Sequence, residues 1–235
     1  MKLKDLLTIV IPCKDENENI KNILSDINNQ NESSGLNVIV ADASEDYTTQ
    51  HYIWSETGKT TNIKVIEGGY PAKARYNGAN LTNTQYILFL DADMRIQNKN
   101  FLLEILNEII EKDSDLLTCK VRTYDNRFNY VYKFFDVVQK LHIITGPFAL
   151  GGIMLFKKTS YDKVGGFNPN DLFAEDYNLS RKINSNKFLI SKQTIFTSSR
   201  RIEKKGISYM LSMLVKSYFN RNNRKFFEKH HNYWL

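Results

Sequence analysis

Asp91 and Asp93 stand one residue apart where the apolar run "YILFLDADMRI" (86–96) stops being apolar. Two carboxylates this close repel each other unless a cation or hydrogen-bond donors lie between them, so the pair reads as a metal site. Two more acidic clusters follow other apolar runs. Pro12, Lys14, Asp15 and Glu16 come after the first run, and Asp42, Ser44 and Asp46 close the second. Acidic clusters gathered on one edge of a fold are unfavourable without a ligand that bridges or neutralises them. A further carboxylate pair, Glu175 and Asp176 in "FAEDYNLSRKI", opens a helical pattern whose dipole favours negative charge.

The elements that must carry these residues are legible as alternating patterns. "LLTIVIP" (6–12), "NVIVAD" (37–42), "IKVIEG" (63–68), "YILFLD" (86–91) and "DLLTCKV" (115–121) are continuously rich in Val, Ile and Leu, as strands buried on both faces of a parallel sheet are. Between them, "NENIKNILSDINNQ" places Ile20, Ile23, Leu24 and Ile27 at helical spacing, and "YTTQHYIWSET", "AKARYNGANLTN" and "FLLEILNEIIEK" read as further helices. Strand and helix in alternation imply right-handed crossovers and an α/β doubly wound sheet, in which ligands bind beyond the carboxyl ends of the strands. The acidic clusters fall at those ends.

A chain of 235 residues with 42% hydrophobic content suits one large α/β domain or a domain with an appendage, and excludes disorder throughout. Cys13 and Cys119 lie in apolar runs without metal-type spacing and read as buried free thiols of a reducing compartment. The N-terminal apolar run is about seven residues long, too short for a span or a signal core, and no other stretch reaches the roughly eighteen residues a span needs. A cytoplasmic protein that does not cross a membrane is therefore expected. After Ser180 thirteen Lys or Arg face only Glu203 and Glu228, a surplus of eleven that leaves residues 1–180 net acidic by five. Such a tail suggests an anionic partner: a diphosphate, a membrane surface or a nucleic acid.

Taken in order, "TIVIPCKDENENI", "VADASEDYT", "PAKARYNGA", "FLDAD", "GGIMLFKKTSYDKVGGF" and "FAEDYNLSRKI" resemble family 2 glycosyltransferases of the GT-A fold over roughly residues 6–205. The resemblance implies a catalytic domain over 1–205 and a C-terminal helical, basic and aromatic extension over 206–235. It implies that Asp42 accepts a hydrogen bond from the nucleotide base, that Pro12, Lys14, Glu16 and Ser44 flank base and ribose, and that Arg75, with Lys73 beside it, lies near base or diphosphate. Uracil presents an N–H to a carboxylate there, so a UDP-sugar is the expected donor. Asp91 then faces ribose or the metal's water shell, and Asp93 ligates Mn²⁺ or Mg²⁺, hard ions that prefer oxygen ligands and need only one or two from protein. Asp176 matches the general base that deprotonates an acceptor hydroxyl, with Glu175 as its positioning neighbour and alternative base. Gly151 and Gly152 form a floor beneath the acceptor or donor sugar, because paired glycines permit close backbone approach.

The tail completes these expectations. A Gln-x-x-Arg-Trp motif is missing from the sequence, which argues against a polymer-extruding enzyme. Arg200 and Arg201 in "SSRRIEKKG" stand where cations could meet a diphosphate, with solvated surface charge as the alternative, and His230 and His231 read as exposed tail residues in preference to further metal ligands. The segment from Ile207, apolar and then basic and aromatic, suits an interfacial membrane helix, a helix packed on the body, or a dimer contact. The expected function is inverting, metal-dependent transfer of one sugar to a hydroxyl, on a lipid or lipid-linked glycan if the tail lies on a membrane. The alternatives are an inactive sugar-nucleotide-binding protein and a nucleotidyltransferase. The latter expects a glycine-rich loop that "PCKDENEN" does not supply, and a nucleic-acid partner conflicts with the acidic sheet edge.

Overall fold

The computed structural model describes residues 2–231. A short helix, α1 (Leu3–Leu6), leads into β1 (Leu7–Cys13), followed by α2 (Asn17–Asn28), β2 (Asn37–Asp42), α3 (Thr48–Glu56), β3 (Asn62–Glu67), α4 (Pro71–Asn80) and β4 (Tyr86–Leu90). Then come α5 (Phe101–Glu111), β5 (Leu116–Thr123), α6 (Asn129–Lys140), α7 (His142–Thr145), β6 (Ile153–Lys157), α8 (Lys158–Lys163), α9 (Glu175–Ser180) and β7 (Phe188–Thr197). Helices α10 (Arg200–Lys205), α11 (Ile207–Phe219) and α12 (Arg224–Phe227) close the described chain. The last four residues of the expected C-terminal extension lie outside the described residues.

The seven strands form one mixed sheet in the order β3-β2-β1-β4-β6-β5-β7. β3, β2, β1 and β4 are mutually parallel, β7 is parallel to β5, and β6 runs antiparallel between β4 and β5. The continuous apolar runs follow from burial on both faces. Ile9, Ile11, Leu88 and Leu90 pack with Ile20, Ile23 and Leu24 of α2 and with Leu102, Ile105 and Leu106 of α5. The alternate residues Val10, Ile87 and Phe89 pack with Ala79 of α4, Tyr161 of α8 and Phe167 on the other face. Each such aliphatic side chain contributes about 1.5–3 kcal/mol on burial. Gly78 lets α4 lie close on the sheet, since a Cβ there would stand 2.3 Å from Val10 Cγ1.

β3 departs from the expected double burial. It is an edge strand on which Asn62, Lys64 and Glu67 are exposed, and charge on an edge discourages pairing with another chain.

A third apolar cluster lies off the sheet. Phe135 of α6, Phe148, Tyr177 of α9, Ile202 of α10 and Phe227 of α12 pack together, with Ile207, Leu214 and Tyr218 of α11 against them. The C-terminal helices are thereby joined to the body, and the Phe227 carbonyl accepts from the Leu172 N–H at 2.8 Å. Among the described residues no helix is long and apolar enough to cross a membrane.

Candidate active site

The antiparallel insertion of β6 sets the site. Because β6 runs against β4, its amino end lies beside the carboxyl end of β4, and the Asp91 N–H donates to the Gly152 carbonyl at 3.0 Å. The chain after β4 then crosses toward β7, where the backbones of Arg95 and Phe196 pair. Asp91, Asp93, Gly151, Gly152, Glu175, Asp176 and Arg201 consequently line one cleft.

Arg75 lies beneath this cleft, fully buried on α4. Its Nη2 donates to Asp91 Oδ1 at 2.5 Å and to the Gly151 carbonyl at 3.2 Å, and its Nη1 donates to Glu175 Oε1. The ring of Phe167 packs 5.5 Å from its Cζ. Two-sided pairing with carboxylates suits the planar guanidinium fork. The residue expected beside the base or diphosphate borders the cleft and also fastens β4 and the start of α9 together. Lys73 points elsewhere: it is exposed and pairs with Glu67 at 3.3 Å.

The two members of the Glu175–Asp176 pair differ in their surroundings. Glu175 is buried and held by Arg75, whereas Asp176 is partly exposed to the cleft. Asp176 Oδ1 accepts from the Tyr177 N–H at 2.7 Å. Burial and then the adjacent Glu175 carboxylate push Asp176 above the usual carboxylate range, against the pull of Arg75 and backbone N–H groups. Gly151 packs against it so closely that a Cβ there would stand 2.8 Å from Asp176 Oδ2. Ala174, just before the pair, is held in the left-handed region at φ 48°. Such strain is found where the surrounding structure fixes a site.

Asp93 is the freer of the metal-type pair. Asp91 is drawn to Arg75, while the Asp93 carboxylate accepts a long 3.4 Å hydrogen bond from Thr197 Oγ1, and the Asp93 carbonyl accepts from Tyr124 Oη at 2.6 Å. Burial and then Asp91 push Asp93 up to about 6, while Arg201 and Arg200 oppose the shift. A cation between these carboxylates would relieve that repulsion. Among the described residues no group of three or more His, Cys, Asp or Glu is gathered to hold a metal, so the protein here offers one or two carboxylate oxygens. That donor set fits Mg²⁺ or Mn²⁺ completed by phosphate and water oxygens.

The histidines stand apart from this pair. His230 Nε2 is 2.8 Å from Tyr70 Oη, and His231 Nε2 is 2.9 Å from the Phe226 carbonyl with its ring against Phe173. Both are engaged away from Asp93, in keeping with their reading as tail residues and not metal ligands.

The other strand ends form the second half of the site. Asp42 is buried at the end of β2, its Oδ1 accepting from the Ser44 N–H at 3.0 Å and from Ser44 Oγ at 2.6 Å. Its Oδ2 is buried and has no hydrogen-bond partner among the described residues, a costly state that a ligand N–H would relieve. Ser44 Oγ in turn accepts from the Asp15 N–H at 2.8 Å, so the turn after β1, with Asp15 at φ 53°, is tied to the end of β2. Pro12 is half-buried at the head of this turn, and Lys14 is exposed, 3.8 Å from Glu45. Glu16 accepts from Arg200 Nη2 at 2.8 Å, so α10 reaches across from the far side of the sheet.

Beyond Asp176 the cleft turns apolar. Tyr132 and Phe135 of α6, Phe148, Leu150, and Met213 and Leu214 of α11 form its wall. Helix α11 thus turns one face toward the cleft, with Val215 and Phe219 outward. These wall residues were not expected as site residues, because an apolar stripe packs alike on a core or around a ligand. Tyr124 and Thr197, at the carboxyl ends of β5 and β7, were missed as well. Their strand-end placement was the signal that could have found them.

An acidic cleft at the carboxyl edge of a doubly wound sheet places the chain in the class of GT-A-type α/β layers. Residues 8–165 match the family model for glycosyl transferase family 2, more than half of the chain, and the chain belongs to that family. No curated protein matches the sequence.

Solved structures share the fold. The mannosyltransferase PcManGT from Pyrobaculum calidifontis, in complex with GDP-Man and Mn²⁺, superposes with a TM-score of 0.72 at 18% identity, covering 92% of this chain and 64% of that one. S. aureus TarS 1-349 in complex with UDP-GlcNAc gives 0.64 at 20% identity, covering 82% of this chain and 58% of that one. Glucosyl-3-phosphoglycerate synthase from Mycobacterium tuberculosis, with Mn²⁺, UDP-Glc and phosphoglyceric acid, gives 0.60 at 13% identity, covering 92% and 80%. The chain spans less than two thirds of the first two.

Proposed function

We propose that this chain is an inverting glycosyltransferase that moves one sugar from a nucleoside-diphosphate sugar to an acceptor hydroxyl. One observation carries the reading: Asp176, raised in pKa and not engaged by Arg75, shares a cleft with Asp93. In this reaction Asp176 accepts the hydroxyl proton as the acceptor oxygen bonds to the anomeric carbon. The bond from that carbon to the diphosphate breaks on the opposite face, its electron pair leaves with the diphosphate, and the configuration inverts. Arg75 positions Asp176 only through Glu175, whose pairing fixes the start of α9.

Asp93, seconded by Asp91, is the residue that would hold Mn²⁺ or Mg²⁺. Such an ion neutralises charge on a departing diphosphate. Arg200 and Arg201 bring cationic groups to the same edge, and Arg200 has only to release Glu16 to meet a phosphate. The unpartnered Asp42 Oδ2 accepts one N–H, which uracil supplies, so UDP-sugars are the favoured donors. The apolar wall beyond Asp176 supports an acceptor whose hydroxyl adjoins an apolar portion, as on a lipid or lipid-linked glycan. Two free buried thiols, Cys13 and Cys119, support action in a reducing compartment such as the cytoplasm.

The test is release of nucleoside diphosphate from a panel of UDP-, GDP- and dTDP-sugars with Mn²⁺, comparing wild type with Asp176→Asn. Turnover of one donor that is lost in the variant supports the reading. Binding of a donor with no turnover under any acceptor would favour a sugar-nucleotide-binding protein instead.

A further inference from the structure

Helix α6 has two apolar faces, and only one of them is covered. Its inner face supplies Tyr132 and Phe135 to the cleft. On its outer face Tyr130, Phe134, Val137 and Leu141 recur at intervals of four, three and four residues, forming one exposed stripe that runs down the helix. The stripe continues into α7, where Ile143 and Ile144 are 72% and 83% exposed. Contiguous large apolar side chains in water mark an interaction surface.

The charge on this segment indicates what covers it. Lys133 and Lys140 are exposed beside the stripe. The one acid between residues 129 and 145, Asp136, is half-buried and paired with Arg122 at 2.5 Å. The outer face is therefore apolar and cationic with no free carboxylate of its own. A second copy packed on it through two-fold symmetry would bring lysines toward lysines with no acid to meet them. An anionic lipid surface complements both properties, and aromatic side chains at the water boundary, as at Tyr130, suit a helix lying in the interface.

We propose that the outer face of α6 and α7 rests on an anionic membrane surface, with Phe134, Ile143 and Ile144 entering the lipid and Lys133 and Lys140 meeting the headgroups. This assignment stands on the exposed stripe and its charge, and does not depend on the transferase reading. If both hold, the helix that walls the acceptor side of the cleft is the one that lies on the bilayer, so an acceptor carried by a lipid arrives beside Asp176.

The experiment is co-sedimentation of the full chain with phosphatidylcholine vesicles, with and without phosphatidylglycerol. Wild type, the triple variant Phe134→Ser/Ile143→Ser/Ile144→Ser and the double variant Lys133→Glu/Lys140→Glu are compared, with melting temperature as the check on folding. Wild type is expected to bind the anionic vesicles and to bind them more weakly as salt rises. The double variant should lose about tenfold or more in that affinity, and the triple variant should lose binding to the anionic vesicles, each while melting as wild type does. No sedimentation of wild type, or equal sedimentation of all three proteins, would overturn the assignment. So would a concentration-dependent dimer of wild type that the triple variant abolishes, since a second copy would then be the occupant.

Discussion

Arg75, buried on α4, joins Asp91 at the end of β4 to Glu175 at the start of α9, one hundred residues beyond Arg75 itself. A single cation thereby fixes the relative positions of the metal-type carboxylates and the candidate base. Removing it leaves Glu175 buried with an uncompensated charge. Arg75→Met should cost about 3–5 kcal/mol of stability. Arg75→Lys should recover only part of that loss, because an ammonium cannot reach both carboxylates as a fork does. Chemical denaturation of the three proteins measures this, and a Lys variant as stable as wild type would remove the clamp from the account.

Glu175 and Asp176 should separate under isosteric substitution. Asp176→Asn should lower transfer by about 10²–10⁴-fold while nucleoside-diphosphate binding is kept. Glu175→Gln should lower stability by about 1–3 kcal/mol, since it weakens the partner of a buried guanidinium. Steady-state kinetics and melting curves of the two variants decide between them. Transfer that survives in Asp176→Asn and fails in Glu175→Gln would exchange their roles.

The raised pKa of Asp93 fixes a pH dependence. Its folded value of about 6 lies above that of an ordinary carboxylate, so the protonated form is favoured in the folded state. Its contribution to stability is therefore full below about pH 4 and is lost as pH rises through about 6. Metal-free wild type should lose about 1–2 kcal/mol over that interval relative to Asp93→Asn, and Mn²⁺ should restore the loss above pH 6. Melting temperature against pH, with and without Mn²⁺, reads both effects. Parallel curves for the two proteins would contradict them.

Gly151 has no room for a side chain beside Asp176. Gly151→Ala should displace the carboxylate and lower turnover by about tenfold to a hundredfold with little change in donor affinity. An alanine variant with wild-type turnover would show that Asp176 tolerates movement.

Ala174 holds a left-handed conformation that glycine adopts without strain. Ala174→Gly should leave stability unchanged or raise it by up to about 1 kcal/mol, despite the greater freedom of glycine in the unfolded chain. A clear loss in thermal denaturation would mean that the alanine methyl contributes packing worth more than the strain.

Much of this arrangement is legible in the sequence because strands buried on both faces must be apolar throughout. β1, β2 and β4 satisfy that condition, as does the first half of β5 up to Cys119, and the ends of β2 and β4 locate Asp42, Asp91 and Asp93. β3 is misread because Ile63, Val65 and Ile66 look like a central strand, while the exposure of Lys64 depends on no strand pairing beyond it. β7 escapes because Ser191, Lys192, Gln193 and Thr194 interrupt its apolar pattern. The antiparallel direction of β6 is a property of the sheet and not of "IMLF", so the adjacency of Gly152 to Asp91 cannot be read locally. The depth of Arg75 is hidden for a similar reason. Only Ala72, Ala74, Gly78 and Ala79, the small residues that let α4 lie close to the sheet, hint that an arginine among them is drawn beneath it.

In the proposed reaction Asp93 and the carboxyl edge of the sheet bind a nucleoside diphosphate through a divalent ion. Calorimetric titration of UDP, GDP, CDP and dTDP into wild type and Asp93→Ala, each with and without Mn²⁺, tests it most directly. UDP is expected to bind wild type with Mn²⁺, and removing either the metal or the carboxylate to weaken binding by more than about tenfold. Binding of no nucleotide, or nucleotide binding that neither Mn²⁺ nor Asp93→Ala alters, would contradict it.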